Sequence, residues 1–341
     1  MAISVLRDAV LALGHQVTLI APPPGEREST VSRIAFNWRA RQSVRLTKAD
    51  VLVGFDLDGV FVRRRALFHV AAIKGVLADE ARFEHGRSRV ALTVQSWLEA
   101  QHVRRANRVI TTSHYSSERI ARFYGLNRDQ ISIVPEAIDF GRWQQALLSA
   151  PLQEERPRIL CVAHLYPRKR VDTLLRAFAR LKMDVELRIV GIGPEKPRLE
   201  NLALALGKHG RVRFLGQVPF NELVAEYRNA TVFALPTSQE GFGIVFLEAM
   251  ASSLPIIAGE GGAVPEVVEA GVNGLLVKPD DDAGLSDALT RVLTDRDLRV
   301  SLSQAGLARV RRYDSPIVAR QFLEALECGG LLPAGRSKLR P

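Results

Sequence analysis

Residues 235–251 read Leu-Pro-Thr-Ser-Gln-Glu-Gly-Phe-Gly-Ile-Val-Phe-Leu-Glu-Ala-Met-Ala. The apolar run Thr231 to Leu235 ends at a proline, a turn holding Gly241, Phe242 and Gly243 follows, and from Ile244 the residues take up a helical pattern. The glycines let backbone approach a ligand closely, and the free N–H groups at the helix start, around Ile244 and Val245, suit a phosphate. Two carboxylates bracket the turn: Glu240 lies before it and Glu248 about one turn into the helix, with seven residues between them. In outline this is a site for a phosphate and for hydroxyl groups. An ordinary strand, turn and helix with surface glutamates produces the same spacing.

Working outward, the same rhythm repeats. Ile159–Val162, Val185–Val190, Val212–Leu215, Thr231–Leu235, Pro255–Ala258 and Gly274–Val277 are short apolar runs. Helix-period segments alternate with them at Val171–Leu181, Glu195–Leu206, Ile244–Ala251 and Asp281–Leu293. Continuous rather than alternating apolar strands are buried on both faces, so the pattern predicts βαβ units and a doubly wound parallel sheet. The first half repeats it more faintly, with strands expected at Gln16–Ala21, Val51–Phe55, Arg108–Thr112 and Ile131–Val134, and a helix over Val90–Ala106.

A chain of 341 residues exceeds what one hydrophobic core organises, which agrees with two α/β domains. The aperiodic, proline-bearing stretch near Ser149–Pro157 predicts the join. The expected division is 1–150, 151–312, a helix over 313–328 packing back on the first domain, and a disordered tail over 329–341.

Composition excludes several classes. With 47% hydrophobic and 25% charged residues the chain is globular, and two cysteines make neither a disulfide framework nor a four-ligand zinc site. No run reaches the roughly 18 apolar residues of a membrane span, and Arg7, Asp8 and His15 interrupt the start where a secretory signal stays apolar, so the expected location is cytoplasmic. Of the net charge of +10, residues 1–150 contribute 21 basic against 14 acidic groups, or +7. Such a surface attracts nucleic acid, anionic lipid or phosphorylated small molecules through one Coulomb term. The aromatics, 6% of the chain, are not interleaved with the basic clusters, so nucleic acid is not expected as a partner. The seven histidines are dispersed, and no protein-built metal site is expected.

The Glu-x7-Glu arrangement in EGFGIVFLEAMA, followed by Pro255-Ile-Ile-Ala and GGAVPEVVEAGVNGLLVKPDD, resembles the donor-binding half of the family-4 glycosyltransferases of the GT-B fold, two Rossmann-like domains facing a cleft. Upstream, ILCVAHLYPRKRVDTLLRAF resembles that family's first strand, phosphate loop and helix, LRIVGIGPEKPRLE its next strand and turn with Gly193, and VRFLGQVP its third. The resemblance implies a nucleotide diphosphate-sugar as donor substrate, a sugar, lipid-linked or other acceptor, retention of configuration, and no cofactor or required metal. Lys169 would neutralise the diphosphate, Glu248 accept hydrogen bonds from ribose hydroxyls, Glu240 contact the transferred sugar, and the Val218 backbone meet the base. Where the family usually carries an arginine this chain has His164, so either His164 is protonated in the complex or Lys169 and Arg168 carry more of the phosphate charge.

In the first half, RRANRVITTSHYSSERIARFYGLNRDQISIVPEAID resembles the end of the family's acceptor domain. Many members place a histidine after the strand that matches Leu67–Ile73. Lys74-Gly75 stands there here, and Asp56, Lys74, Asp79 and Glu80 are the acceptor-side candidates. A basic acceptor half also fits an anionic acceptor or peripheral attachment to an anionic membrane surface. Two other readings compete. Asp56-Leu-Asp58-Gly is how a haloacid-dehalogenase-type phosphatase presents its aspartates over magnesium, with Asp280–Asp282 available as further ligands. The other is a nucleotide-binding GT-B scaffold without transfer activity. Finally, Ile3–Leu13 reads as a helix and Gln16–Ala21 as the family's second strand, so its first strand and glycine-rich loop are expected to be missing, leaving the N-terminal sheet without a central strand.

Overall fold

The computed structural model describes residues 2–22, 30–46, 49–62, 67–152 and 156–327. They fall into two compact units, one comprising residues up to Glu136 together with those from Pro316 onward, the other Ala137–Ser315. No described helix is long and apolar enough to cross a membrane.

The first unit contains α1 (Ala2–Ala12), α2 (Thr30–Leu46), β1 (Val51–Phe55), β2 (Phe68–Ile73), α3 (Leu77–Glu80), α4 (Gly86–Arg105), β3 (Arg108–Thr111), α5 (His114–Tyr124) and β4 (Ile131–Ile133). Its sheet is parallel with order β1-β2-β3-β4. β2 is buried on both faces from His69 to Ile73, and the core gathers Ala71, Ile73, Val103, Val109, Ile120 and Tyr124. Local chemistry sets the helix ends: Ser113 Oγ accepts the Ser116 N–H at 3.0 Å at the start of α5, and Gly125 stops it with φ of 71°. The expected strand at Gln16–Ala21 does not form, and Val17 and Leu19 are exposed. Strand propensity needs a neighbouring strand to act on. Among the described residues, no strand precedes Val51 and none pairs with the outer edge of β1.

The second unit contains α6 (Phe140–Ser149), β5 (Arg158–Val162), α7 (Val171–Arg180), β6 (Glu186–Val190), α8 (Lys196–Ala205), β7 (Val212–Gly216), α9 (Phe220–Arg228), β8 (Val232–Leu235), α10 (Ile244–Ala251), β9 (Ile256–Gly259), α11 (Val264–Val267), β10 (Leu275–Val277), α12 (Asp282–Thr294) and α13 (Arg296–Val310). Its six parallel strands run β10-β9-β8-β5-β6-β7. β5 is therefore the point where successive connections change direction, one series leaving toward β6 and β7, the other returning on its far side at β8. In sheets of this kind the loops at that point diverge and leave a crevice. β8 and β9 are buried throughout, as their unbroken apolar sequences require, and the last six residues of α10, Phe246–Ala251, are all buried.

The division between units falls at Glu136, not near residue 150, because α6 packs into the second core. Trp143 is 2% exposed, sits edge-on to Phe220 and Tyr227 at 5.7 and 5.5 Å, and donates its ring N–H to Ser252 Oγ at 2.9 Å. Gln144 donates to the Ala251 carbonyl at 2.6 Å. The chain leaves this unit at Ser315 rather than 312, beside its point of entry: Ile138 N–H donates to Tyr313 O at 3.0 Å and Ser315 N–H to Ile138 O at 2.9 Å. The helix α14 (Ser315–Glu327) follows, and from Pro316 it belongs to the first unit. The tail expected over 329–341 lies outside the described residues.

Trp143→Ala removes a buried indole and leaves Ser252 without its donor, at a cost of about 3–5 kcal/mol. Urea unfolding of the variant should show a lower midpoint for the second unit with an unchanged m-value.

Candidate functional site

Two loops at the carboxyl ends of β5 and β8 build the site in the second unit. After β5 the chain passes His164 and a single 3-10 turn, Pro167–Lys169, before Arg170, with φ of 53°, starts α7. After β8, residues 236–243 lead to Gly243, whose φ of 90° sets the start of α10, and a Cβ there would lie 2.6 Å from the Phe246 ring. One carbonyl fastens the two loops: Arg168 O accepts the Ser238 N–H at 2.8 Å, the Ser238 hydroxyl at 3.0 Å and the Thr237 hydroxyl at 3.1 Å. This places Lys169 Nζ 2.5 Å from Glu240 Oε1, with both side chains about nine-tenths buried.

Neighbouring turns close around this pair. Ala263 N–H donates to Glu240 O at 2.9 Å, and a Cβ on Gly262 would fall 2.4 Å from that same oxygen, so only glycine fits. Behind the first loop, a Cβ on Gly193 would lie 2.4 Å from Leu165 O, which lets the turn after β6 back directly onto it. His164 is exposed, and its pKa is lowered, first by partial burial of the ring and then by Lys169 and Arg168 beside it. Lys169 and Arg168 place positive charge on the same loop. Val218 follows the carboxyl end of β7, two strands from β5.

Glu248 projects from the second turn of α10 into a buried setting. Its Oε2 accepts the Tyr227 hydroxyl at 2.8 Å. Burial pushes the Glu248 carboxyl up to about 7, against the opposing pull of the Tyr227 hydrogen bond. Tyr227 comes from α9, stacks on Phe233 of β8 and is fully buried. Sequence reading missed it, because it lies 21 residues from Glu248 in a helix that carries no motif of its own.

The acceptor-side candidates all lie in the first unit. Asp56 follows β1 with φ of 54°, its Oδ1 accepts the Lys74 N–H at 3.0 Å, and burial raises its pKa. Lys74 Nζ reaches Glu136 at 2.8 Å and lies 5.6 Å from the centre of the Phe55 ring. Glu80 approaches Gly75, where a Cβ would fall 2.7 Å from Oε1. Asp79 is not available to an acceptor: it is fully buried, takes the Tyr115 hydroxyl at 2.6 Å, and pairs with Arg82 at 3.0 Å and Arg119 at 3.9 Å. Its role is to lock α3 to α5.

Beneath the Asp56 turn lies a pair that sequence reading did not single out. His69 and His102 meet Nε2 to Nε2 at 3.0 Å, and His102 Nδ1 is 2.5 Å from the Asp56 carbonyl. With Nδ1–H donating to that carbonyl, the His102 Nε2 accepts from His69. Burial holds both rings down to about 4, so the pair is neutral and props the turn.

The phosphatase reading fails on geometry. Asp58 Oδ1 takes the Asn37 side-chain amide at 2.9 Å, and its turn follows β1, which among the described residues is an edge strand rather than one in the middle of a sheet. Asp280 pairs with Arg170, Asp281 caps α12 and Asp282 pairs with Arg180, all in the other unit.

The family model described as Glycosyl transferases group 1 matches residues 148–309, and that of Glycosyltransferase Family 4 matches residues 3–142. A GDP-mannose-dependent alpha-(1-6)-phosphatidylinositol monomannoside mannosyltransferase of Mycobacterium tuberculosis is 36% identical over 214 residues, 58% of this chain and 55% of that protein. A D-inositol 3-phosphate glycosyltransferase of Nocardia farcinica is 32% identical over 242 residues, covering 67% of this chain and 54% of that protein. The chain thus spans about half the length of the curated relatives it matches. Among solved structures, sucrose-phosphate synthase from Thermosynechococcus elongatus superposes with a TM-score of 0.76 at 22% identity, covering 92% of this chain and 82% of that one. Anabaena Alr3699/HepE in complex with UDP-glucose gives 0.73 at 20% identity, covering 86% and 82%. The two parallel sheets and these matches define a GT-B fold. The chain belongs to the family-4 glycosyltransferases.

The raised Glu248 pKa has a stability consequence. Between about pH 4.5 and 7 the unfolded chain releases this proton while the folded protein keeps it, so stability is lost as pH rises through that window. Glu248→Gln should therefore stabilise the second unit above pH 7 by up to about 3 kcal/mol, seen as a higher melting temperature, with the gain vanishing below pH 4.5. Parallel melting curves of wild type and variant across pH 4–8 check it.

Proposed function

We propose that the chain transfers a glycosyl group from a nucleotide diphosphate-sugar to an acceptor held by the first unit, with retention of configuration. The observation that carries this is the Lys169–Glu240 pair at the start of α10, with Glu248 eight residues on and buried against Tyr227. A cation and the free N–H groups of a helix start are what a departing diphosphate needs, since its charge grows as the glycosidic bond breaks. Lys169, with Arg168 and the backbone of Gly241–Val245, takes that role. Glu248 accepts the ribose hydroxyls. Burial holds its pKa up to about 7, and hydroxyl groups donating to the carboxylate favour its ionised form. Glu240, steadied by Lys169, faces the transferred sugar.

Glu240 is paired with Lys169 rather than left free as a nucleophile, which favours same-face attack over a covalent enzyme intermediate. The acceptor oxygen bonds to the anomeric carbon as the bond from that carbon to the phosphate oxygen breaks. The departing phosphate takes the acceptor proton. The protein supplies position and charge. The scheme uses no cofactor or protein-bound metal. The named activities of the two relatives, on phosphatidylinositol monomannoside and inositol 3-phosphate, support an acceptor that carries phosphate, in line with the basic first half.

Transfer assays with GDP- and UDP-sugars, with the product anomer read by NMR, test this. Lys169→Ala should lower kcat/KM at least about 100-fold, as loss of a transition-state charge partner does. Glu248→Ala should chiefly raise the donor KM. Wild-type-like transfer by both variants, or a product of inverted configuration, overturns the reading.

A further inference from the structure

Two of the three tryptophans stand outside the core, in matching positions on two helices of the first unit. On α2, Val31, Ala35 and Trp38 follow one another at i, i+4 and i+7, and all are exposed, Val31 at 76% and Trp38 at 59%. On α4, Val90, Val94 and Trp97 repeat the spacing at 65%, 46% and 63%. At 3.6 residues per turn such a triplet forms one stripe along a helix. Packing does not require either stripe. The inward face of α2 is Phe36, Asn37, Ala40 and Val44, and that of α4 is Leu98, Glu99, His102 and Val103. The helices are joined where Gln95 Nε2 donates to Thr30 Oγ1 at 2.8 Å, so the start of α2 lies beside the middle of α4.

The charge on these helices has one sign. α2 carries Arg33, Arg39, Arg41 and Arg45 and no acidic residue. α4 carries Arg87, Arg89, Arg104 and Arg105, and its single carboxylate, Glu99, is buried. Arg33 pairs with Asp56 and Asp58, and Arg39, Arg87 and Arg89 are exposed to solvent. Exposed tryptophan combines an apolar ring with an N–H that prefers to stay wet, which suits the headgroup layer of a bilayer, and arginine is drawn to the phosphates there.

We propose that the outer face of α2 and α4 docks the protein on an anionic lipid surface, with Trp38 and Trp97 entering the headgroup layer and the flanking arginines on lipid phosphates. A protein partner would also cover an apolar stripe. The exposed Arg39, Arg87, Arg89, Arg104 and Arg105, with no exposed carboxylate among the described residues of either helix, favour a diffuse negative surface over a protein face of mixed charge. The inference uses none of the donor-site residues and does not depend on the proposed transfer reaction.

Tryptophan emission of the full chain tests it, with vesicles containing about half phosphatidylglycerol in phosphatidylcholine and with vesicles of phosphatidylcholine alone. Trp143 is buried, so emission changes report Trp38 and Trp97. Anionic vesicles should shift emission to the blue and protect it from acrylamide, vesicle-brominated acyl chains should quench it, and raised salt should weaken the effect. The double variant Trp38→Ser/Trp97→Ser should partition at least tenfold more weakly in co-sedimentation. Bromine quenching in the wild type decides the matter without relying on that variant. Absence of quenching, equal binding to neutral vesicles, undiminished binding by a folded double variant, or a dimer that shields both tryptophans without lipid would each overturn the proposal.

Discussion

The main-chain carbonyl of Arg168 carries the architecture of the candidate donor site. It belongs to a loop after β5 and accepts three hydrogen bonds from the loop after β8, a segment some 70 residues later in the chain. These strands are neighbours at the point where the connections of the sheet change direction, and loops there would otherwise splay apart. Fastening them through backbone and hydroxyl groups leaves the charged ends of Lys169 and Glu240 to one another and to a ligand. The glycines at 193, 243 and 262 serve the same arrangement, since a Cβ at any of them would strike the loop or ring packed against it.

Glu248 shows a cost that accompanies such a site. A carboxyl buried against Tyr227 and the apolar body of α10 resists ionisation, so the fold holds a group that would be more comfortable in water. The Trp143 and Phe233 rings pack against its partner Tyr227, and Trp143 also bonds Ser252 just past α10, which fixes α9 and α10 in place. The packing that pulls α6 out of the first domain's share of the sequence is therefore the packing that supports the Glu248–Tyr227 pair. That explains why the domain boundary and the site cannot be assigned independently.

The first unit follows a different logic. Its polar groups are largely engaged with each other: Asp79 with Tyr115, Arg82 and Arg119, Lys74 with Glu136, and His69 with His102 under the Asp56 turn. A single-sequence reading picks out Asp56, Lys74, Asp79 and Glu80 as equals because each follows a strand or begins a helix. Burial separates them. Asp79 points inward to three partners, and Lys74 and Asp56 remain at the strand ends.

The doubly wound class, the strand and helix order of the second unit and the carboxylate spacing around the glycine turn were legible in the sequence. Each depends on periodicity, or on residues close together in the chain, where local chemistry and solvent preference decide. Tyr227 against Glu248, the histidine pair, the inward turn of Asp79 and the transfer of α6 to the second core were not legible. They join residues 20 to more than 100 positions apart, and no local preference encodes which distant side chain will fill a given cavity. The run Gln16–Ala21 shows the converse: its sequence favours a strand, but a strand exists only with a partner to pair with, and that is a property of the assembled sheet. Sequence determined the elements and the chemical character of the site, whereas tertiary structure decided which groups meet, because burial and pairing are set by neighbours in space.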